Sequence, residues 1–184
     1  LTIGNDFIIS GNSTYIGFNS TASSATINTG RHFSFSNGTL DFTFSGDVDK
    51  NITGNFTIDG GTTNITYGGD ANITIDVGGD FTLTNSPSIT QGGGSGTKTL
   101  NFTGSSLQIF SAGNSDEFID FDFVIKNNAI VDFGTSPLNG TSSDFTIETN
   151  AEIRVGSTSS SGAIQTGTSS GNIRVGGTRT YTSG

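Results

Sequence analysis

The residues best suited to chemistry sit in one acidic run, Asp116-Glu117-Phe118-Ile119-Asp120-Phe121-Asp122. In an extended strand Asp116, Asp120 and Asp122 fall on one side, and a neighbouring coil can add Asp132. Carboxylates gathered in that way suit a hard cation, so these four are the candidate ligands of a structural Ca²⁺. Parallel β-helix polysaccharide lyases hold Ca²⁺ on such groups and use a Lys or Arg as base, a role open to Lys126 or Arg154. A plainer origin competes. Seven of the thirteen Asp residues directly precede Phe, at positions 6, 41, 80, 120, 122, 132 and 144. Strand alternation with Phe inward and Asp outward produces that pairing without any ligand, the outward Asp keeping the surface soluble. His32 is the only histidine and Cys is absent. With no Ser or acidic partner marked out, His32 fills a slot that Asp or Asn fills elsewhere. The reading is therefore a non-enzyme with no catalytic residues.

What must position these groups is a recurring strand phrase. Asn55-Phe56-Thr57-Ile58, Asn64-Ile65-Thr66-Tyr67, Asn72-Ile73-Thr74-Ile75, Asp80-Phe81-Thr82-Leu83 and Asp144-Phe145-Thr146-Ile147 share polar–apolar alternation with Asn or Asp first. Such alternation marks half-buried strands. From Asn55 the starts step by 9, 8 and 8 residues, so a fourth copy begins 25 residues after the first. Three short sides close one coil, and coils stack. Gly60-Gly61, Gly68-Gly69 and Gly78-Gly79 mark corners, where positive φ is expected. The spacing predicts an all-β, right-handed parallel β-helix of about seven coils of roughly 20–26 residues, one segment over 1–184. A β-sandwich is the alternative, since its turn spacing of 8–12 residues is also present. No helix is expected, because Gly interrupts every window of useful length.

Composition agrees with a thin core. Hydrophobic residues make up 30%, yet 15 Phe recur at regular intervals, which disorder would not produce. A net charge of −9 with seven scattered Lys and Arg excludes a nucleic-acid stripe and disfavours anionic lipid. No apolar run is long enough for a membrane-spanning helix, and the longest is broken by Asp120, Asp122, Lys126 and Asp132. Position 1 is not Met and no charged-then-apolar leader is seen, so an internal piece of a longer chain is expected.

Two surface patterns invite functional readings. Nine Asn-x-Ser/Thr sequons (Asn12, Asn19, Asn37, Asn51, Asn55, Asn64, Asn72, Asn101 and Asn139) suggest N-glycosylation, although several are the strand phrase itself. Thr82-Leu83-Thr84 and Thr97-Lys98-Thr99 fit a flat ice-binding Thr face but do not repeat at the coil period.

The runs Asn127-Asn128-Ala129-Ile130-Val131-Asp132-Phe133-Gly134 and Gly162-Ala163-Ile164-Gln165-Thr166-Gly167 carry a resemblance to a known family. Gly171-Asn172-Ile173-Arg174-Val175-Gly176-Gly177-Thr178-Arg179-Thr180-Tyr181 shares it. They resemble the strand-plus-Gly units of large β-strand-repeat proteins secreted by Bacteroidota. The resemblance is close over 128–184 and loose elsewhere. It implies an extracellular or cell-surface adhesin or filament stalk, exported by the type IX system, with no catalytic residues. The implied partners are the remainder of its own polypeptide, secretion machinery, other cell-surface proteins and glycans, with no nucleic acid and no membrane insertion. A carbohydrate-active β-helix, lyase or glycan-binding module, is the alternative function.

Overall fold

An alternating strand leaves one apolar row that has to be covered, and here each coil covers the next. The computed structural model describes residues 1–11, 15–17, 24–41, 47–66, 72–85, 88–91, 96–112, 121–134, 138–140, 144–154, 164–166 and 173–175. The first four coils each have three sides. They are β1 (Thr2–Ile3), β2 (Phe7–Ser10), β3 (Tyr15–Gly17); β4 (Ser24–Thr29), β5 (Phe33–Ser36), β6 (Thr39–Asp41). Then come β7 (Asp47–Ile52), β8 (Phe56–Asp59), β9 (Thr62–Thr66); β10 (Ile73–Val77), β11 (Phe81–Thr84), β12 (Ser88–Gln91). The chain continues through β13 (Lys98–Phe102), β14 (Leu107–Ser111), β15 (Asp122–Ile125), β16 (Ile130–Asp132) and β17 (Leu138–Gly140). It closes with β18 (Phe145–Ile147), β19 (Glu152–Arg154), β20 (Ile164–Thr166) and β21 (Ile173–Val175).

The first sides form an eight-stranded sheet from β1 to β21, and the second sides a seven-stranded sheet from β2 to β19. The third sides β3, β6, β9 and β12 form a four-stranded sheet, while β17 pairs with β20 alone. Every pairing is parallel between equivalent sides. That arrangement is a parallel β-solenoid and excludes the sandwich. In the first sheet Thr2 pairs with Asn28, Ala25 with Val48, Val48 with Ile73 and Ile73 with Lys98, giving coils of 26, 23, 25 and 25 residues. The coil count differs from the seven expected: four coils have all three sides in the three main sheets. Beyond β12 the first two sheets continue, and among the described residues the later strands outside them are the pair β17 and β20.

The core is a column of stacked rings. Phe7, Phe33, Phe56, Phe81, Phe110, Phe133 and Phe145 follow one another with centroids 5.4, 5.1, 5.1, 5.5, 5.1 and 5.8 Å apart. Phe33, Phe56 and Phe81 lie nearly face to face, with interplanar angles of 9° and 6°. Beside them Phe35, Ile58, Ile75 and Leu100 are fully buried. A few inward positions are polar, Thr29 and Lys50 among them. Thr29, in register with Ile52, is 1% exposed and its hydroxyl has no hydrogen-bond partner. Thr29→Val should therefore raise the urea midpoint, by about 1 kcal/mol of stability. A destabilised variant would mean that the hydroxyl is satisfied in solution.

Corner chemistry is stacked as well. Gly11, Asn37, Gly60 and Asn85 each follow an aligned strand residue of the second sheet, with φ of 146°, 54°, 70° and 55°. Gly and Asn tolerate that left-handed conformation best. Gly78 and Gly79 depart from the positive φ expected of them. They are small because a Cβ would collide with the Thr53 carbonyl or with Asn55 of the coil beneath.

The polar residue that opens each phrase does more than face water. Asp6 Oδ1 accepts the His32 N–H (3.2 Å), His32 Nδ1 the Asn55 N–H (3.0 Å), Asn55 Oδ1 the Asp80 N–H (3.0 Å) and Asp80 Oδ1 the Ile109 N–H (2.8 Å). At the entry to the first sheet Asp47 and Asn72 accept the N–H groups of Asn72 and Thr97, both at 2.9 Å. Each side chain thus staples its coil to the following one, which corrects the reading of the leading Asp as purely solubilising. Asn55→Ala leaves the Asp80 N–H without its acceptor and should cost about 1–2 kcal/mol in chemical denaturation, with Asn55→Asp restoring most of it. Equal stability of the Ala and Asp variants would discount the staple.

Candidate functional site: a polar step between the first and second sheets

The corner from the first to the second sheet has a fixed length in the early coils. Thr29 to Phe33, Ile52 to Phe56 and Val77 to Phe81 are each four residues apart. In the next coil the equivalent pair is Phe102 and Phe110, eight residues apart, with Phe110 in register with Phe81. Gln108 closes the widened corner from inside. It is 1% exposed, donates from Nε2 to the Val77 carbonyl (3.0 Å) and the Gly79 carbonyl, and accepts the Gly104 N–H (2.9 Å). Later corners turn through Asn128 and Asn150 at φ 66° and 61°, joined through an Asn150–Asn127 side-chain hydrogen bond of 3.2 Å.

The step leaves a groove of about 550 Å³ on the outside of the column. Asn51, Thr53, Asp76, Thr103, Ser105 and Ser106 supply its polar lining, and Ile52 is the one large apolar residue in it. Asn51 and Asp76 project outward from adjacent first-sheet strands in register. The same row contains Asn28, whose Oδ1 accepts the Asn51 amide at 2.9 Å, and Asn101, whose Nδ2 donates to Asp76 Oδ1 at 2.6 Å. Asn101 is only 6% exposed, and its Oδ1 is buried without a hydrogen-bond partner. The arrangement offers one carboxylate, carboxamides and hydroxyls, and no basic group in the lining.

Of the acidic candidates from the sequence, the two described ones, Asp122 and Asp132, are not brought together. Asp116 and Asp120 lie outside the described residues. Asp122 stands on β15 of the first sheet and Asp132 on β16 of the second, on different sides of the column. Asp122 Oδ1 accepts the Asp144 N–H (2.8 Å) and Asp132 Oδ1 the Gly134 N–H (2.7 Å). Among the described residues no three His, Cys, Asp or Glu side chains are placed to hold a metal ion. Lys126 Nζ lies 2.9 Å from Glu148 Oε1, and Glu148 also accepts the Asn127 N–H. Those two bonds hold the Glu148 carboxyl below its usual range. Arg154 is hydrogen-bonded to Glu152 at 2.7 Å, which raises its pKa. Both cations are thereby held as ion pairs, and His32 serves as a backbone staple.

The sequons divide similarly. Asn12 and Asn19 lie outside the described residues, as do the side chains of Asn64 and Asn139. Asn55 and Asn72 are staples, Asn51 is bonded to Asn28, and the buried Asn101 does not present its amide for attachment. In the Thr pattern, Thr82 stacks on Thr57, but Thr84 aligns with Asp59 and donates to its carboxylate at 2.8 Å, while Thr99 lies on the other sheet. No helix among the described residues is long and apolar enough to cross a membrane. No family model, curated protein or solved structure matches the chain.

Proposed function

We propose that this chain is a non-catalytic structural segment of a large secreted cell-surface polypeptide, an adhesin or filament stalk exported through the type IX system. The observation that supports the reading is the unbroken column of seven Phe rings inside continuous parallel ladders. A column built in this way resists bending, because each coil is tied to its neighbours by ladder bonds, ring stacking and staples. The end formed by the first coil also favours continuation. β1 and β2 are edge strands, and Leu1 at that end is 62% exposed. Such edges accept further parallel coils, so the remainder of the polypeptide is the first partner, with secretion machinery and other surface proteins beyond it. Limited proteolysis of intact producing cells, followed by antibody detection of this segment, tests the location. Loss of the signal from intact cells supports the proposal; protection until the cells are lysed contradicts it.

A further inference from the structure

The step between the sheets is more than the stacking requires. Four residues suffice for this corner in three earlier coils, and the longer corner places Thr103, Ser105 and Ser106 beside Asn51 and Asp76. Ser105 and Ser106 are exposed, so burial does not explain them. Beneath the rim lies the Asp76 carboxylate, one oxygen of which accepts from Asn101 Nδ2, leaving capacity for further donors. An acceptor in such a setting calls for hydroxyl or N–H donors, while the exposed Ser105 and Ser106 hydroxyls can give or take a hydrogen bond; the Thr103 hydroxyl already donates to the Val77 carbonyl (3.2 Å).

Three ligand classes fit poorly. An apolar ligand would meet only Ile52. An acidic saccharide would meet Asp76 and no Lys or Arg in the lining, on a chain of net charge −9. A hard divalent cation takes 6–8 oxygens with several carboxylates among them, and this groove has one. We infer that the groove between Asp76 and the Thr103–Ser106 corner binds a neutral saccharide. Vicinal hydroxyls donate to Asp76, and the Ser105 and Ser106 hydroxyls complete the contacts. The volume lies within the range of small-molecule sites. The lack of an aromatic platform in the lining sets the affinity at roughly millimolar.

The test is NMR titration of the ¹⁵N-labelled 184-residue chain with neutral gluco- and manno-oligosaccharides, with oligogalacturonate, and with Ca²⁺ alone. The expected result is saturable shifts confined to residues near 51–53, 76–78 and 103–106 with a neutral oligosaccharide. Ser105→Ala/Ser106→Ala, both exposed, should weaken that binding about fivefold or more without lowering the melting temperature. Asp76→Ala should abolish it, with far-UV circular dichroism confirming the fold. The inference is overturned if no neutral saccharide shifts these resonances, if the Ser double variant binds unchanged, or if oligogalacturonate or Ca²⁺ alone gives the same shifts.

Discussion

Phe81→Ala lowers the unfolding free energy by about 3–5 kcal/mol, the largest single loss expected for any residue of this chain. The ring is fully buried and is touched from three directions: stacked on Phe56 at 5.1 Å and Phe110 at 5.5 Å, and edge-on to Phe102 at 6.4 Å. Alanine leaves a void that parallel coils cannot close, because the ladders above and below fix their spacing near 4.8 Å. Both the transfer term and the cavity term are then lost, together with the ring-pair contribution. Domains of this size have about 5–15 kcal/mol in total, so the variant sits close to the folding threshold. Urea unfolding followed by circular dichroism gives the number. Phe7→Ala, at the open end and only partly buried, should cost less than half as much. Equal costs at the two positions would contradict a column that is tightest in its middle.

Stability should rise with pH from neutrality upward, and Lys50 is the reason. Its side chain points into the column between Ile27 and Ile75 and is 2% exposed. Burial lowers its pKa to about 7 from the ordinary value of 10.5. Between those two values the unfolded chain binds a proton that the folded chain does not, so the folded state gains as pH increases across the window. Below pH 7 both states carry the proton and the penalty is constant; above 10.5 both are neutral and the gain is complete. Lys50→Met replaces the amine with an apolar group of similar length. It should stabilise the protein at pH 7 by about 1–4 kcal/mol and flatten the dependence. Melting temperatures of both proteins between pH 7 and about 9.5, short of tyrosine ionisation, decide it. A wild-type curve that is flat, or a Met variant that melts lower at pH 7, would place the amine in a favourable environment instead.

Lys50 also shows where the sequence could and could not be read. Strands β8, β10 and β11 were legible because Phe56, Ile58, Ile73, Ile75, Phe81 and Leu83 keep the inward phase without exception. β7 was not, because Asp47-Val48-Asp49-Lys50-Asn51-Ile52 puts a lysine in an inward slot and looks like a charged loop. Its strand character comes from pairing with β4 and β10, a tertiary effect. The parallel coil and its near-25-residue period followed from spacing alone. The staple function of Asn and Asp did not, since alternation predicts only that they face outward. The groove was invisible for a related reason. Thr103-Gly104-Ser105-Ser106 reads as an ordinary loop until Phe110 is known to stack on Phe81, and only then does the interval from Phe102 appear four residues too long. The one available signal was that broken interval. Asp122 and Asp132 looked like partners because a neighbouring coil was expected to stack Asp132 beside that strand, whereas the corner between them carries them to different sheets.

The fold rests on strands that run in the same direction and stand one coil apart. Interstrand nuclear Overhauser contacts measure this most directly in the labelled chain. Residues of β8 should contact those of β11 at a constant offset of 25, Phe56 with Phe81 through to Asp59 with Thr84, with ring-to-ring contacts between Phe56 and Phe81. Close Hα–Hα contacts whose residue numbers rise on one strand as they fall on the other would reveal antiparallel pairing and contradict it.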